Sequence, residues 1–197
     1  VYEGGLLVPS ILEWPAEVPA PRVVSGRGNT FDIFPTILDA LSIPQPERPV
    51  LDGESLLPLI RGEKEKREKA MGFWHSGRRG ISTPSETWMQ ELKAAQAKGE
   101  DLPPSEAVVA AMALPEPPET GGSLGGHLAW IEGDWKLHRI EDRKRGKTTF
   151  ELYDLAEDPY ETRDLLEEHP DTAAAMKAEL REWMNSVIDS LNGEEYR

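Results

Sequence analysis

His127-Leu128-Ala129-Trp130-Ile131-Glu132-Gly133-Asp134-Trp135-Lys136-Leu137-His138-Arg139-Ile140 is the stretch that decides the fold. His127 to Glu132 reads as one β-strand and Trp135 to Ile140 as a second. Gly133-Asp134 supplies the turn between them. Glu141 to Lys147 is a charged turn containing Gly146. Thr148 to Asp154 then gives a third strand, rich in β-branched and aromatic residues. The three strands form an antiparallel meander. Asp158-Pro159 marks a turn, and Glu161 to Glu168 reads as a short helix. A long helix starts near Pro170-Asp171. Its Met176, Leu180, Trp183, Met184, Val187, Ile188 and Leu191 form a stripe wide enough to pack on a sheet, and Gly193 ends it. Residues 127–197 are therefore expected to be a small α+β subdomain, an antiparallel sheet with a packing helix.

Working back from the meander, Pro115 to Gly126 is too rich in proline and glycine for regular structure. Helices are expected from the Thr83-Pro84-Ser85-Glu86 capping box to Gly99, and from Ser105 to Leu114. Residues 77–126 thus read as a helical insertion between two strands. Ala70 to Trp74 is a short buried strand ending at His75-Ser76-Gly77, with Trp74 expected in the core. Asp32 to Leu41 is an amphipathic helix with Ile33, Phe34, Ile37, Leu38 and Leu41 on one face and Pro35 in its first turn. Ser55 to Arg61 is a shorter helix closed by Gly62. The chain opens with Val1-Tyr2-Glu3-Gly4-Gly5, a turn in which two glycines permit positive φ. It runs into an apolar strand-like segment, Leu6 to Leu12. Residues 1–76 offer too few strands to cover these apolar helix faces, so exposed apolar surface is expected there.

Composition narrows the function classes. The chain has 197 residues, 38% of them apolar, and a net charge of -14. That balance argues against nucleic acid or an anionic membrane as the main partner. There is no cysteine, which excludes disulfides, thiolate metal sites and cysteine nucleophiles within the chain. No run of apolar residues is long enough for a transmembrane helix.

Four segments in order resemble the second half of a sulfatase of the alkaline-phosphatase superfamily. They are Tyr2-Glu3-Gly4-Gly5 through Trp14-Pro15; Phe31-Asp32-Ile33-Phe34-Pro35-Thr36-Ile37-Leu38; Leu51-Asp52-Gly53-Glu54-Ser55-Leu56-Leu57-Pro58-Leu59; and Trp135-Lys136-Leu137 with Glu151-Leu152-Tyr153-Asp154-Leu155 and Asp158-Pro159-Tyr160-Glu161-Thr162. The resemblance is to arylsulfatases and to bacterial sulfatases acting on sulfated sugars. It implies that residues 1–76 are the end of a large α/β domain. It also implies sulfate-ester hydrolysis by a formylglycine nucleophile and a calcium ion, with lysine and histidine stabilising the transferring group. The nucleophile motif, Cys or Ser followed by x-Pro-x-Arg, is absent; Ser76-Gly77-Arg78-Arg79 lacks the proline. The family's metal ligands and sulfate-binding lysine precede the Glu-Gly-Gly turn. The chain is accordingly expected to be a C-terminal fragment, inactive alone and without metal ligands of its own. The implied partner is a sulfated small molecule or saccharide, and the implied compartment is periplasmic or extracellular.

Six residues are candidates for the rim of the site. Glu3 is placed behind a missing lysine or metal ligand, the alternative being a turn glutamate bonded to neighbouring backbone. Gly4 and Gly5 shape that turn. His75, at the end of a strand, is placed against the leaving group or sugar, the alternative being a hydrogen-bonded loop histidine. His127 is a second such candidate. Arg78, with Arg79, is placed to attract sulfate, the alternative being a solvated pair. His138 is expected on the surface, His169 as a local cap and Asp32 as a first-turn helix residue. Two other readings remain: a phosphonate or phosphate ester hydrolase of the same superfamily, and a non-catalytic module that binds a partner or glycan.

Overall fold

The structure, a computed structural model, describes residues 1–75, 85–100, 118–119, 121–142 and 145–194. One four-stranded antiparallel sheet organises it, with strands in chain order: β1 (Met71–His75), β2 (His127–Glu132), β3 (Trp135–Asp142) and β4 (Lys147–Asp154). The meander read from the sequence is therefore present. β1 extends it by pairing with β2, Met71 opposite Ile131 and His75 opposite His127. The β2–β3 connection is a two-residue hairpin. Gly133 takes φ 57, a conformation that L side chains resist and that the right-handed strand twist favours in tight hairpins.

Alternation along the strands gives the sheet two different faces. One face meets α5 (Pro170–Leu191). Leu128, Leu137 and Leu152 pack there against Ala173, Met176, Leu180, Met184 and Ile188, all buried, with Leu124 from the preceding loop. Each large apolar side chain so buried contributes about 1.5–3 kcal/mol relative to exposure. Gly72 of β1 lies under this helix. A Cβ there would collide with the Trp183 ring, so glycine is what lets the indole lie against the strand. Trp74, on the same face, is not core. It is 39% exposed and its indole N–H donates to the Gly125 carbonyl.

The other face carries Met71, Phe73 and His75 of β1, His127, Ala129 and Ile131 of β2, Lys136 and His138 of β3, and Glu151 and Tyr153 of β4. Met71, Ile131, Tyr153 and Leu155 make a small apolar cluster with Phe31 and Phe73 at its margin. The rest of this face is polar and lies against the first residues of the chain.

Those first residues differ from expectation. Glu3–Leu6 is a single helical turn, α1, and Leu6 to Leu12 forms no strand. Neither Gly4 nor Gly5 has positive φ, and a Cβ at either would meet nothing within 4 Å. Their small size is not demanded by local contacts. α2 (Ile33–Ala40) follows a 3₁₀ turn, Thr30–Asp32, and α3 (Leu57–Arg61) ends at Gly62 in the left-handed conformation. The expected α2 face is turned outward. Leu38 is buried, but Ile33, Phe34, Ile37 and Leu41 are each at least half exposed. Val8, Ile11 and Val23 are exposed too. α4 (Ser85–Ala97) matches the helix expected from the capping box. The helix expected from Ser105 to Leu114 and the side chain of Arg78 lie outside the described residues.

Asp32 holds the expected first-turn place, in the 3₁₀ turn that leads into α2, and is an interior residue as well. It is fully buried, and its carboxylate accepts the Arg67 guanidinium at 2.6 Å. It also accepts the backbone N–H groups of Asn29 and Glu54. This pins α2 to the Leu51–Leu59 segment, where Thr36 Oγ1 accepts the Leu56 N–H and Gly53 leaves no room for a Cβ beside the Phe31 carbonyl. No helix spans Glu161 to Glu168. Glu161 has φ 55, which cannot begin a right-handed helix, and Asp164 Oδ1 is tied to the N–H groups of Leu152 and Leu166.

Candidate functional site

Lys136 sits near the start of β3, its second residue, with no exposed surface. Its ammonium donates to Glu3 Oε1 at 2.8 Å and lies 2.9 Å from Glu161 Oε1. The two carboxylate side chains are 9% and 2% exposed. Two residues along the same face, His138 is equally enclosed, and its Nε2 lies 2.7 Å from Glu161 Oε1. Glu161 Oε2 accepts the backbone N–H of Glu3 at 2.5 Å. The Glu161 carboxylate thus takes three donors from two distant parts of the chain, β3 and the first residues.

Burial alone would raise the Glu161 pKa. The hydrogen bonds from Glu3, Lys136 and His138 outweigh it and hold the carboxyl below its usual range. With Glu161 ionised, the hydrogen between it and His138 belongs to the imidazole Nε2. Burial keeps His138 below the usual histidine pKa, so the ring is neutral near pH 7 and its Nδ1 is an acceptor. His127 Nε2 lies 2.8 Å from that Nδ1 and is therefore the donor. His127 in turn presents Nδ1 as an acceptor, to which the Val1 nitrogen donates at 2.8 Å. Burial is the largest cause that pushes the His127 pKa down to about 4. The outcome is a directed chain of neutral imidazoles, from Val1 through His127 and His138 to Glu161.

Aromatic groups enclose this chain. The Tyr2 ring tilts over His138 with centroids 4.6 Å apart, and Tyr153 meets His138 edge-on at 5.6 Å. Both phenols donate to Glu151 Oε2, at 2.6 and 3.0 Å. Burial and this carboxylate push both phenol pKa values up, so neither ionises near neutrality.

Sequence comparisons give this arrangement its context. No family model matches the chain. Arylsulfatase D of Homo sapiens is 28% identical over 164 residues, covering 83% of this chain and 24% of that protein. Steryl-sulfatase of Homo sapiens is 36% identical over 72 residues, covering 36% and 12%. N-acetylgalactosamine-6-sulfatase of Canis lupus familiaris is 39% identical over 61 residues, covering 31% and 12%. The chain is similar to these sulfatases. It spans about a quarter of the length of the first of these relatives. A solved chain described under the metabolism of multiple glycosaminoglycans by Bacteroides thetaiotaomicron overlays 78% of this chain and 24% of its own length, with TM-score 0.44 and 18% identity.

The structure brings Glu3 and His127 into the cluster. His75 stands at its edge, cross-strand from His127 at the end of β1. That strand end belongs to an antiparallel edge strand, not to the open parallel sheet that suggested a ligand position. Glu3 is paired with a lysine across the fold instead of with its own turn. His138, expected at the surface, is fully buried. His169 makes no side-chain cap; its ring packs on Trp135 at 4.9 Å. Sequence reasoning passed over Lys136 and Glu161 as site residues. The signal was available, since Lys136 and Glu161 both lie in motif segments already quoted for the resemblance.

Calcium does not fit this cluster. Glu3 and Glu161 converge on the Lys136 ammonium, a cation that occupies the space between the carboxylates. Among the described residues, no group of three or more His, Asp or Glu side chains is arranged to hold a metal. Among the described residues, no helix is long and apolar enough to cross a membrane.

Proposed function

We propose that the chain is the C-terminal part of a sulfatase that hydrolyses sulfate esters, with the nucleophile and metal ligands carried by the rest of the protein. The observation that supports this best is the 28% identity to an arylsulfatase over 83% of the chain. The geometry agrees with it. The four motif segments lie far apart in sequence yet meet in pairs: Glu3 joins Lys136 and Glu161, and Asp32 joins Glu54. A motif set that converges on buried polar contacts is maintaining a scaffold around a site, not a free surface.

In this reading the sulfatase chemistry uses a formylglycine and a calcium ion supplied elsewhere in the protein. This chain contributes position by fixing the Tyr2–Glu3 segment against the sheet; His75 and Arg78 are assigned to the sulfated substrate, while His127, with both ring nitrogens bonded within the chain, is assigned to the rim through the segment it holds. A sulfated saccharide is the favoured class, consistent with the name of the N-acetylgalactosamine-6-sulfatase relative. A periplasmic or extracellular location accompanies it. The domain division in this reading is 1–76, 77–126 and 127–197.

The test is hydrolysis by the whole protein that carries this chain. It is expected to release sulfate from an aryl sulfate, to lose that activity on calcium chelation, and to act more slowly on an aryl phosphate or phenyl phosphonate. Turnover of the phosphonate with none of the sulfate would replace this reading with that of a phosphonate ester hydrolase. The isolated chain is expected to turn over none of them.

A further inference from the structure

We propose that Glu161, His138 and His127 form a side-chain template that docks the Val1–Glu3 segment, extended at Tyr2, in one register and thereby positions it for catalysis by the whole protein. The catalytic consequence rests on the sulfatase reading; the docking itself does not.

Tyr2 is extended, with φ -78 and ψ 162. In extended backbone the N–H groups of alternate residues point the same way. Here the nitrogens of Val1 and Glu3 both meet the template, the first at His127 Nδ1 and the second at Glu161 Oε2. His138 bridges these two acceptors and lies beneath the Tyr2 ring between them. The template therefore does for this segment what a neighbouring strand does for an edge strand, with side-chain acceptors in place of carbonyls.

Two features show that register is what the arrangement secures. Glu161 is held at φ 55, a conformation disfavoured for a residue with a side chain, and that backbone aims its carboxylate at the three donors. Lys136 places a buried charge where an apolar residue would pack with less desolvation, a pattern that favours a unique arrangement over extra stability. A one-residue slip of Val1–Glu3 would leave both acceptors, the Lys136 ammonium and the Glu151 carboxylate without these partners.

The template accepts only while both imidazoles are neutral. The ionisable groups facing it are His75 from β1, Lys136 from β3, Glu151 and Tyr153 from β4, and Tyr2 and Glu3 from the docked segment.

The experiment uses the whole protein and three readouts. Nitrogen-15 spectra of the unmodified protein are expected to show His127 and His138 as neutral Nε2–H tautomers at pH 7. In Glu161→Gln and in His138→Phe, amide exchange across residues 1–3 is expected to rise while exchange in α5 stays unchanged. In the same variants kcat on an aryl sulfate is expected to fall about 10–100-fold with KM within about twofold, and Glu161→Asp to restore part of it. Nδ1–H tautomers, or His138→Phe with wild-type exchange at residues 1–3, would overturn the docking. Faster exchange with unchanged kcat would overturn the catalytic role. If the unmodified protein hydrolyses no sulfate ester, the sulfatase reading and the catalytic role fall together, while tautomers and exchange still decide the docking.

Discussion

Lys136 and Glu161 form an ion pair at 2.9 Å in which the lysine has no exposed surface and the carboxylate side chain only 2%. The pair joins the middle of the meander to the loop after it, and Glu3 is drawn in as a second carboxylate. Buried pairs of this kind bring little net stability, yet breaking one is costly because the surviving charge is stranded.

Lys136→Met tests that asymmetry. It leaves Glu3 and Glu161 facing each other without a cation, and is expected to lower unfolding stability by about 3–5 kcal/mol in chemical denaturation. Adding Glu3→Gln and Glu161→Gln to the same protein is expected to recover a good part of the loss. A single variant as stable as the original would show that the ammonium is not the charge balancing this cluster.

Asp32→Ala removes the acceptor for Arg67 and for the backbone N–H groups of Asn29 and Glu54 in one step. The expected cost is again about 3–5 kcal/mol, since a buried guanidinium is left without its partner. Asp32→Asn, which keeps one acceptor oxygen, is expected to cost less. The midpoint of urea unfolding measures both; equal midpoints for the two variants would count against the account.

Gly72→Ala drives a methyl group into the Trp183 ring. The indole must shift, at an expected cost of about 1–3 kcal/mol. The paired change Trp183→Leu is expected to reduce the penalty for alanine at position 72. A double-mutant cycle reads this as coupling between the two positions, and strict additivity would contradict the close packing.

Stability is expected to fall with acidity in a definite window. His127 has a folded pKa of about 4 against an ordinary value near 6.5. Between these values the unfolded chain binds a proton that the folded chain refuses, so lowering the pH through the window favours unfolding. His138, also depressed by burial, acts in the same direction. Glu161 adds a further loss at lower pH, where its carboxylate is protonated in the unfolded chain first. Melting temperature measured from pH 7 to pH 4 is expected to drop, and His127→Gln to flatten the slope. An unchanged slope in that variant would remove His127 as a source of the pH dependence.

Much of the sheet was legible because its signals are local. Alternation sets strands, Gly133-Asp134 sets the hairpin, and the Met176, Leu180, Met184, Ile188 spacing sets which side of α5 is buried. The capping box before α4 is local in the same way. The helical turn at Glu3–Leu6 went unread because two glycines argue for a turn of any kind. The helix expected after Glu161 failed because one left-handed residue, fixed by contacts from elsewhere in the chain, overrode its propensity. α2 was recognised as a helix, but amphipathicity reports only that a face is apolar, not that something covers it.

The candidate site was less legible, for a related reason. The sequence by itself determined the meander, its helix and the four motif segments, since each rests on spacing within a short window. Only the tertiary structure decided that Glu3, Lys136, His138 and Glu161 meet. Their contacts span from 23 to 158 residues of chain. No periodicity encodes a pairing between a turn, a strand and a loop. It is set when the sheet face closes on the first residues and each buried charge must find the partner that offsets its desolvation.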